Sequence, residues 1–146
     1  MSSQLQQDVV FSKMAKDVAT FSYCQRAKVG AMIVRDGNPI YIGYNGTPPG
    51  DENVCEFVLP NGQTKTKDSV IHAEDNALRK LDEADPDKKD RDGLTMYVTL
   101  SPCTDCADLI LESGIKRVVV MNLYKGDAGA KALRKEGITV DIIGDI

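Results

Sequence analysis

The chain has no tryptophan and a single histidine, His72, in its 146 residues. Any imidazole ligand or histidine base must therefore be that one residue. Aromatic residues make up only 5% of the chain, so the core has to come from aliphatic side chains. No apolar run approaches the roughly 20 residues of a membrane-spanning helix. The opening MSSQLQQD also lacks the basic-plus-apolar pattern of a secretory signal. Net charge is −4, from 18 basic and 22 acidic side chains, with no Lys/Arg cluster. That argues against the basic face a polynucleotide requires. A small-molecule substrate is expected, with neither polynucleotide nor membrane as partner. Four cysteines are too few for a disulfide framework and point to a reducing cytoplasm. A hydrophobic content of 42% and a charged content of 27% suit one soluble domain over residues 1–146.

What is present concentrates between His72 and Cys106. The segment reads IHAEDNAL, then a polar stretch and a strand, then SPCTDCADLI. His72, Cys103 and Cys106 supply one imidazole and two thiolates, three ligands for a tetrahedral Zn2+. Three protein ligands with a fourth position left for water is the catalytic pattern, whereas structural zinc sites are closed by four. Glu74, two residues after the histidine, is placed to relay protons. The H-x-E and P-C-x-x-C pair is shared by zinc-dependent base deaminases.

Local signals place these residues. Ser101 as N-cap, Pro102 at the first helical position and Gly114 past the end predict a helix over 102–113. Cys103 and Cys106 would then share one face of its first turn. Asp68 or Ser69 is expected to cap a second helix carrying Ile71, Ala73, Ala77, Leu78 and Leu81. Inside a helix, His72 and Glu74 would diverge by about 200°. They can share a site only off the helix's N-terminal end. The metal should lie between two helix N-termini, whose partial positive charge favours thiolate.

The remaining pattern alternates. An amphipathic helix is expected over 5–22, with Val10, Met14, Val18 and Phe21 on its buried stripe and Phe11 beside it. Strands at 29–34 and 39–45 flank Asp36–Gly37, a hairpin signal. Residues 46–68, with Pro48, Pro49, Gly50, Pro60 and Gly62, read as a long functional loop. The run DEADPDKKDRDG reads as a solvated loop. Strands at 95–100, 117–121 and 138–143 alternate with helices at 102–113 and 128–136, the last closed by Gly137. Two strand–helix–strand units sharing a strand make the later strands parallel. The expected fold class is α/β: a five-stranded mixed sheet with helices on both faces.

The motifs VGAMIV, GYNGTPPG, HAEDNAL and MYVTLSPCTDCADLILESGIKRVV together resemble the deoxycytidylate (dCMP) deaminases. These belong to the cytidine-deaminase-like three-layer αβα sandwiches. The resemblance implies hydrolysis of dCMP to dUMP and ammonia, supplying dUMP for thymidylate synthesis, with Zn2+ on His72, Cys103 and Cys106. Attack would fall on C4 of cytosine, with Glu74 serving N3 and the departing amine. Asn45 would contact the deoxyribose, Ala73 would offer a backbone group to the base, and Tyr124 would stand near the phosphate. Arg26 and Lys28 are further phosphate candidates. The region of Gly46, Gly50, Asp51 and Glu52 would help form an effector site. There dCTP activates and dTTP inhibits, in a homo-oligomer (hexamer or tetramer), with Asp51 and Glu52 helping to hold Mg2+. Some relatives build a second zinc site from cysteines corresponding to Cys24 and Cys55 plus a histidine from an insertion. This chain lacks the insertion and a spare histidine, so two buried reduced thiols are expected there. Among other classes, a tRNA adenosine deaminase would show a more basic surface, and a riboflavin-pathway deaminase is usually fused to a reductase. A free-cytidine deaminase remains an alternative substrate reading. A non-enzymatic zinc module is disfavoured by the intact Glu74.

Overall fold

The computed structural model describes residues 3–123 and 126–145. Its main sheet is built from β1 (Gly30–Arg35), β2 (Asn38–Tyr44), β5 (Leu94–Leu100), β6 (Arg117–Asn122) and β7 (Thr139–Ile142), in the order β2-β1-β5-β6-β7. β1 pairs antiparallel with both β2 and β5, while β5–β6 and β6–β7 are parallel. The mixed five-stranded sheet is thus as the sequence pattern implied. Asp36 and Gly37 both have positive φ, the backbone a tight β1–β2 hairpin demands.

Strand alternation sorts the side chains into two cores. Ala31, Ile33, Met96, Val98, Val118 and Val120 face α2 (Ala73–Ala84), α3 (Thr104–Ser113) and α4 (Ala128–Lys135). Met32, Val34, Tyr97 and Val119 face α1 (Gln4–Ala19) on the other side. The result is three layers, with α1 alone on one face.

That face of α1 differs from the expected stripe. Phe11, Ala15 and Val18 are buried, whereas Val10, Met14 and Phe21 are 52%, 38% and 58% exposed. Two contacts set the rotation. Ala15 lies against Gly30, where an added Cβ would strike the Ala15 carbonyl. Asp8 accepts hydrogen bonds from Tyr97 Oη (2.7 Å) and from both terminal nitrogens of Arg117 (2.9 and 2.7 Å). Burial alone would raise the Asp8 pKa, but these bonds and the Arg117 charge hold it below its ordinary 3.8.

Three more expectations are corrected. Residues 46–68 are not all loop, because β3 (Glu56–Val58) and β4 (Thr64–Thr66) form a second, two-stranded sheet. The run after α2 is not simply solvated. Arg91 is buried, donating to Asp82 (3.1 Å), Asp85 (2.8 Å) and the Ser113 carbonyl (3.0 Å), which ties the ends of α2 and α3 together. Cys24 and Cys55 are buried as expected, but they are joined as a disulfide rather than left as free thiols. The bond fastens the start of β3 to the segment leading out of α1. No helix among the described residues is long and apolar enough to cross a membrane.

Candidate metal centre and substrate cavity

Each metal-ligating helix begins later than its flanking polar residues suggest, by three or four residues at α2 and two at α3. His72, not Asp68 or Ser69, is the N-cap of α2, with extended backbone (φ −71°, ψ 155°). Cys103, not Ser101, is the N-cap of α3, and its Sγ accepts the Cys106 amide at 3.4 Å. Ser101 instead sits on the β5–β6 side, its amide donating to the Asn122 carbonyl and its hydroxyl to the Gly126 carbonyl. A cysteine sulfur can cap a helix and ligate a metal from the same place, so capping and metal binding fall on one residue. Because His72 lies just outside α2, it can share a site with Glu74 in the first turn. The expected position between two helix N-termini is what the backbone shows.

The ligand atoms converge. His72 Nδ1 lies 3.1 Å from Cys106 Sγ and 3.6 Å from Cys103 Sγ. Tetrahedral zinc with Zn–N of about 2.0–2.1 Å and Zn–S of about 2.3 Å requires N···S edges of roughly 3.5 Å. The donor set and its spacing therefore fit Zn2+. Burial, followed by the charges of Glu74 and Cys103, pushes the Cys106 thiol up, so without a cation that sulfur stays protonated. A divalent ion reverses this balance by stabilising thiolate.

Glu74 is 4% exposed and lies against Cys106. Burial raises its carboxyl above the ordinary 4.5, opposed by its own backbone amide and by His72 and Cys106. Raising the carboxyl's pKa favours its protonated form, which suits a group that must both take up and deliver protons.

Two glycines set how closely these elements approach. A Cβ on Gly43 of β2 would collide with backbone at Ala73 and Ala77, so only glycine lets α2 sit this near the strand. A Cβ on Gly129 of α4 would strike the Pro102 and Cys103 carbonyls. Gly129 therefore lets α4 close one wall beside the cysteine turn.

A cavity of about 590 Å3 opens over the centre, within the size range of small-ligand sites. Among the expected residues, Asn45, Ala73, Glu74, His72, Cys103 and Arg26 line it. Lys28 is exposed and does not. Tyr124 lies outside the described residues. The Asn45 side chain accepts from the Val29 amide at 2.9 Å and donates to the Ala27 carbonyl at 2.8 Å. It thereby shapes the cavity edge while keeping one N–H and one lone pair for a ligand. Gly46 lines a separate cavity of about 280 Å3, together with Asn45 and Cys55. Gly50, Asp51 and Glu52 are exposed and line neither cavity. Two side-chain groups of metal-binding size occur among the described residues: the His72 centre, and Cys24, Cys55 and Glu56, whose sulfurs are joined to each other.

Sequence reasoning missed Lys65 and Thr66, which line the main cavity from β4. Asn61–Gly62 between EFV and TKT was the available signal, since that dipeptide between short polar–apolar runs marks a hairpin.

Residues 5–122 match the cytidine and deoxycytidylate deaminase zinc-binding region. The deoxycytidylate deaminase of Mycobacterium phage D29 is 38% identical over 122 residues, covering 77% of this chain and 91% of the phage protein. That of Saccharomyces cerevisiae is 35% identical over 139 residues, covering 91% of this chain but 43% of the yeast protein. The crystal structure of dCMP deaminase from cyanophage S-TIM5 with dCMP and dUMP superposes with a TM-score of 0.84 at 35% identity. That likeness spans 98% of this chain and 99% of the phage chain. With its three zinc ligands and buried glutamate in place, the chain belongs to the cytidine and deoxycytidylate deaminase family, on its deoxycytidylate branch.

Proposed function

We propose that this chain hydrolyses dCMP to dUMP and ammonia. The observation that carries the reading is the juxtaposition of a three-ligand His–Cys–Cys set with buried Glu74 at the floor of a nucleotide-sized cavity. Bound Zn2+ supplies the Lewis acid that lowers the pKa of water towards about 7. His72, Cys103 and Cys106 hold the metal. Glu74 would take the water's two protons in turn, passing one to N3 of the base and one to the departing amine as the C4–N bond breaks and the water oxygen becomes the C4 carbonyl; the carboxyl itself is buried. The Ala73 backbone offers hydrogen bonding to the base, and Asn45 offers its free N–H to the sugar. Arg26 at the cavity rim serves the 5′-phosphate, a role that the family resemblance also gives to Tyr124, which lies outside the described residues; Lys28 does not line the cavity.

Regulation by dCTP (activating) and dTTP (inhibiting) is part of this proposal, in a homo-oligomer. Gly46 and Ile71 exchange both backbone hydrogen bonds (3.1 and 2.8 Å). The loop that carries Gly50, Asp51 and Glu52 is thereby tied to the residue preceding His72, so a shift in one biases the other. The two carboxylates, both exposed, would accept a Mg2+ brought by a triphosphate.

The deciding experiment compares kcat/KM for dCMP and deoxycytidine, with and without dCTP·Mg2+. A large preference for dCMP, and sigmoidal saturation made hyperbolic by dCTP, are expected. Equal values for the two substrates would overturn the nucleotide reading. Kinetics unchanged by either triphosphate at saturating concentration would remove the regulation alone.

A further inference from the structure

We propose that Lys65, on the β3–β4 hairpin, binds the substrate's 5′-phosphate together with Arg26, making this hairpin the element that distinguishes nucleotide from nucleoside. The inference rests on the dCMP reading above and adds to it a residue and a structural element.

Three observations converge. Lys65 and Arg26 line the same cavity as His72 and Glu74, although 39 positions apart in sequence. Among the described residues neither makes an ion pair; several exposed lysines share that trait, but these two also line the cavity. Two unneutralised cations at one rim favour a dianion such as a phosphate monoester.

The hairpin is also fixed to the Arg26 segment rather than merely near it. Cys55, at the foot of β3, is bonded to Cys24. The next residue, Glu56, accepts the amides of Gln25 and Arg26 on one carboxylate oxygen, at 2.9 and 3.2 Å. The Lys67 amide, just after β4, donates to the Cys55 carbonyl at 2.7 Å. These ties close both strands of the hairpin onto residues 24–26. They also engage Glu56, which among the described residues is the one carboxylate besides Glu74 that lines the cavity. The arrangement holds Lys65 and Arg26 at a common rim with no direct bond between them and leaves their donors to a ligand. Arginine offers a planar fork and lysine a mobile point charge, complementary ways of meeting phosphate oxygens.

The test measures kcat/KM for dCMP and for deoxycytidine in the wild type and in Lys65→Met, Lys65→Arg and Arg26→Met. Losing one charge-assisted contact is expected to lower kcat/KM for dCMP by roughly 10- to 100-fold, through KM. The deoxycytidine value should stay within twofold of the wild type in Lys65→Met, and Lys65→Arg should recover most of the dCMP preference. A wild-type dCMP preference that survives Lys65→Met overturns the role of Lys65 and leaves the dCMP reading standing. An equal loss for both substrates overturns it too, showing that Lys65 only supports the hairpin. A wild type without any preference for dCMP overturns the nucleotide reading and this inference with it.

Discussion

His72 and Cys103 hold the same position on two different helices. Each is the residue preceding the first helical turn, and His72 Nδ1 and Cys103 Sγ lie 3.6 Å apart. Two helix N-termini thus face a single point, and their dipoles favour the anionic sulfur.

Removing one partner should empty that point. Cys103→Ala is expected to lower bound zinc from one per chain to near zero at micromolar metal, with turnover lost in parallel. It also removes the cap on the Cys106 amide, so a drop of about 1 kcal/mol in stability is expected besides the metal's contribution. Metal analysis of the purified variant decides, and a full zinc complement would contradict the ligand assignment.

Glu74→Gln keeps the shape and removes the proton carrier. Zinc content should be unchanged while kcat falls by about 10²–10⁴-fold or more. Steady-state deamination beside metal analysis separates the two, and near-normal turnover would mean that another group moves the proton.

Much of this centre was legible because its motif is local. His72, Glu74, Cys103 and Cys106 fall within two helix starts, where spacing alone fixes geometry. The caps were misread because Asp68, Ser69 and Ser101 are ordinary cap residues, while the actual caps are metal-binding side chains. The α1 stripe failed for a different reason. Periodicity marked one stripe, Val10, Met14, Val18 and Phe21, with Phe11 beside it, whereas the side that packs is Phe11, Ala15 and Val18. Which side packs is set by Gly30 and by Asp8 meeting Arg117, partners distant in sequence. Likewise Arg91 sits in a charged run that looks solvated, and only its bonds to α2 and α3 reveal it as internal. Lys65 was hidden because its hairpin strands are only three residues each and bury little, Phe57 and Val58 standing exposed.

The Gly129 contact gives a prediction away from the ligands. In Gly129→Ala the new Cβ meets the Pro102 carbonyl, which is backbone and cannot step aside cheaply. A loss of about 1–3 kcal/mol is expected. Activity should fall more than stability accounts for, since the displaced turn carries Cys103. Thermal unfolding together with kcat at a temperature where the variant is folded checks this; wild-type values of both would contradict it.

Asp8 predicts how the fold answers to acid. Its carboxyl is held below 3.8 in the folded chain, so it binds protons more weakly there than when unfolded. The resulting stability is complete above the unfolded value and drains away as pH falls through the lower folded one. Asp8→Asn should flatten that acid limb. Since Arg117 retains Asp141 at 2.9 Å, the cost near neutral pH should be about 2–3 kcal/mol, below that of a fully orphaned buried charge. Denaturant unfolding from pH 2 to 7 measures both; an unchanged acid limb would show that Asp8 is not the group responsible.

The account stands most directly on zinc at His72, Cys103 and Cys106. The measurement is dCMP turnover in protein stripped of metal by a chelator, then titrated with Zn2+. Turnover should be absent in the stripped protein and rise linearly to a plateau at one zinc per chain. Full dCMP deamination with no zinc bound would contradict it.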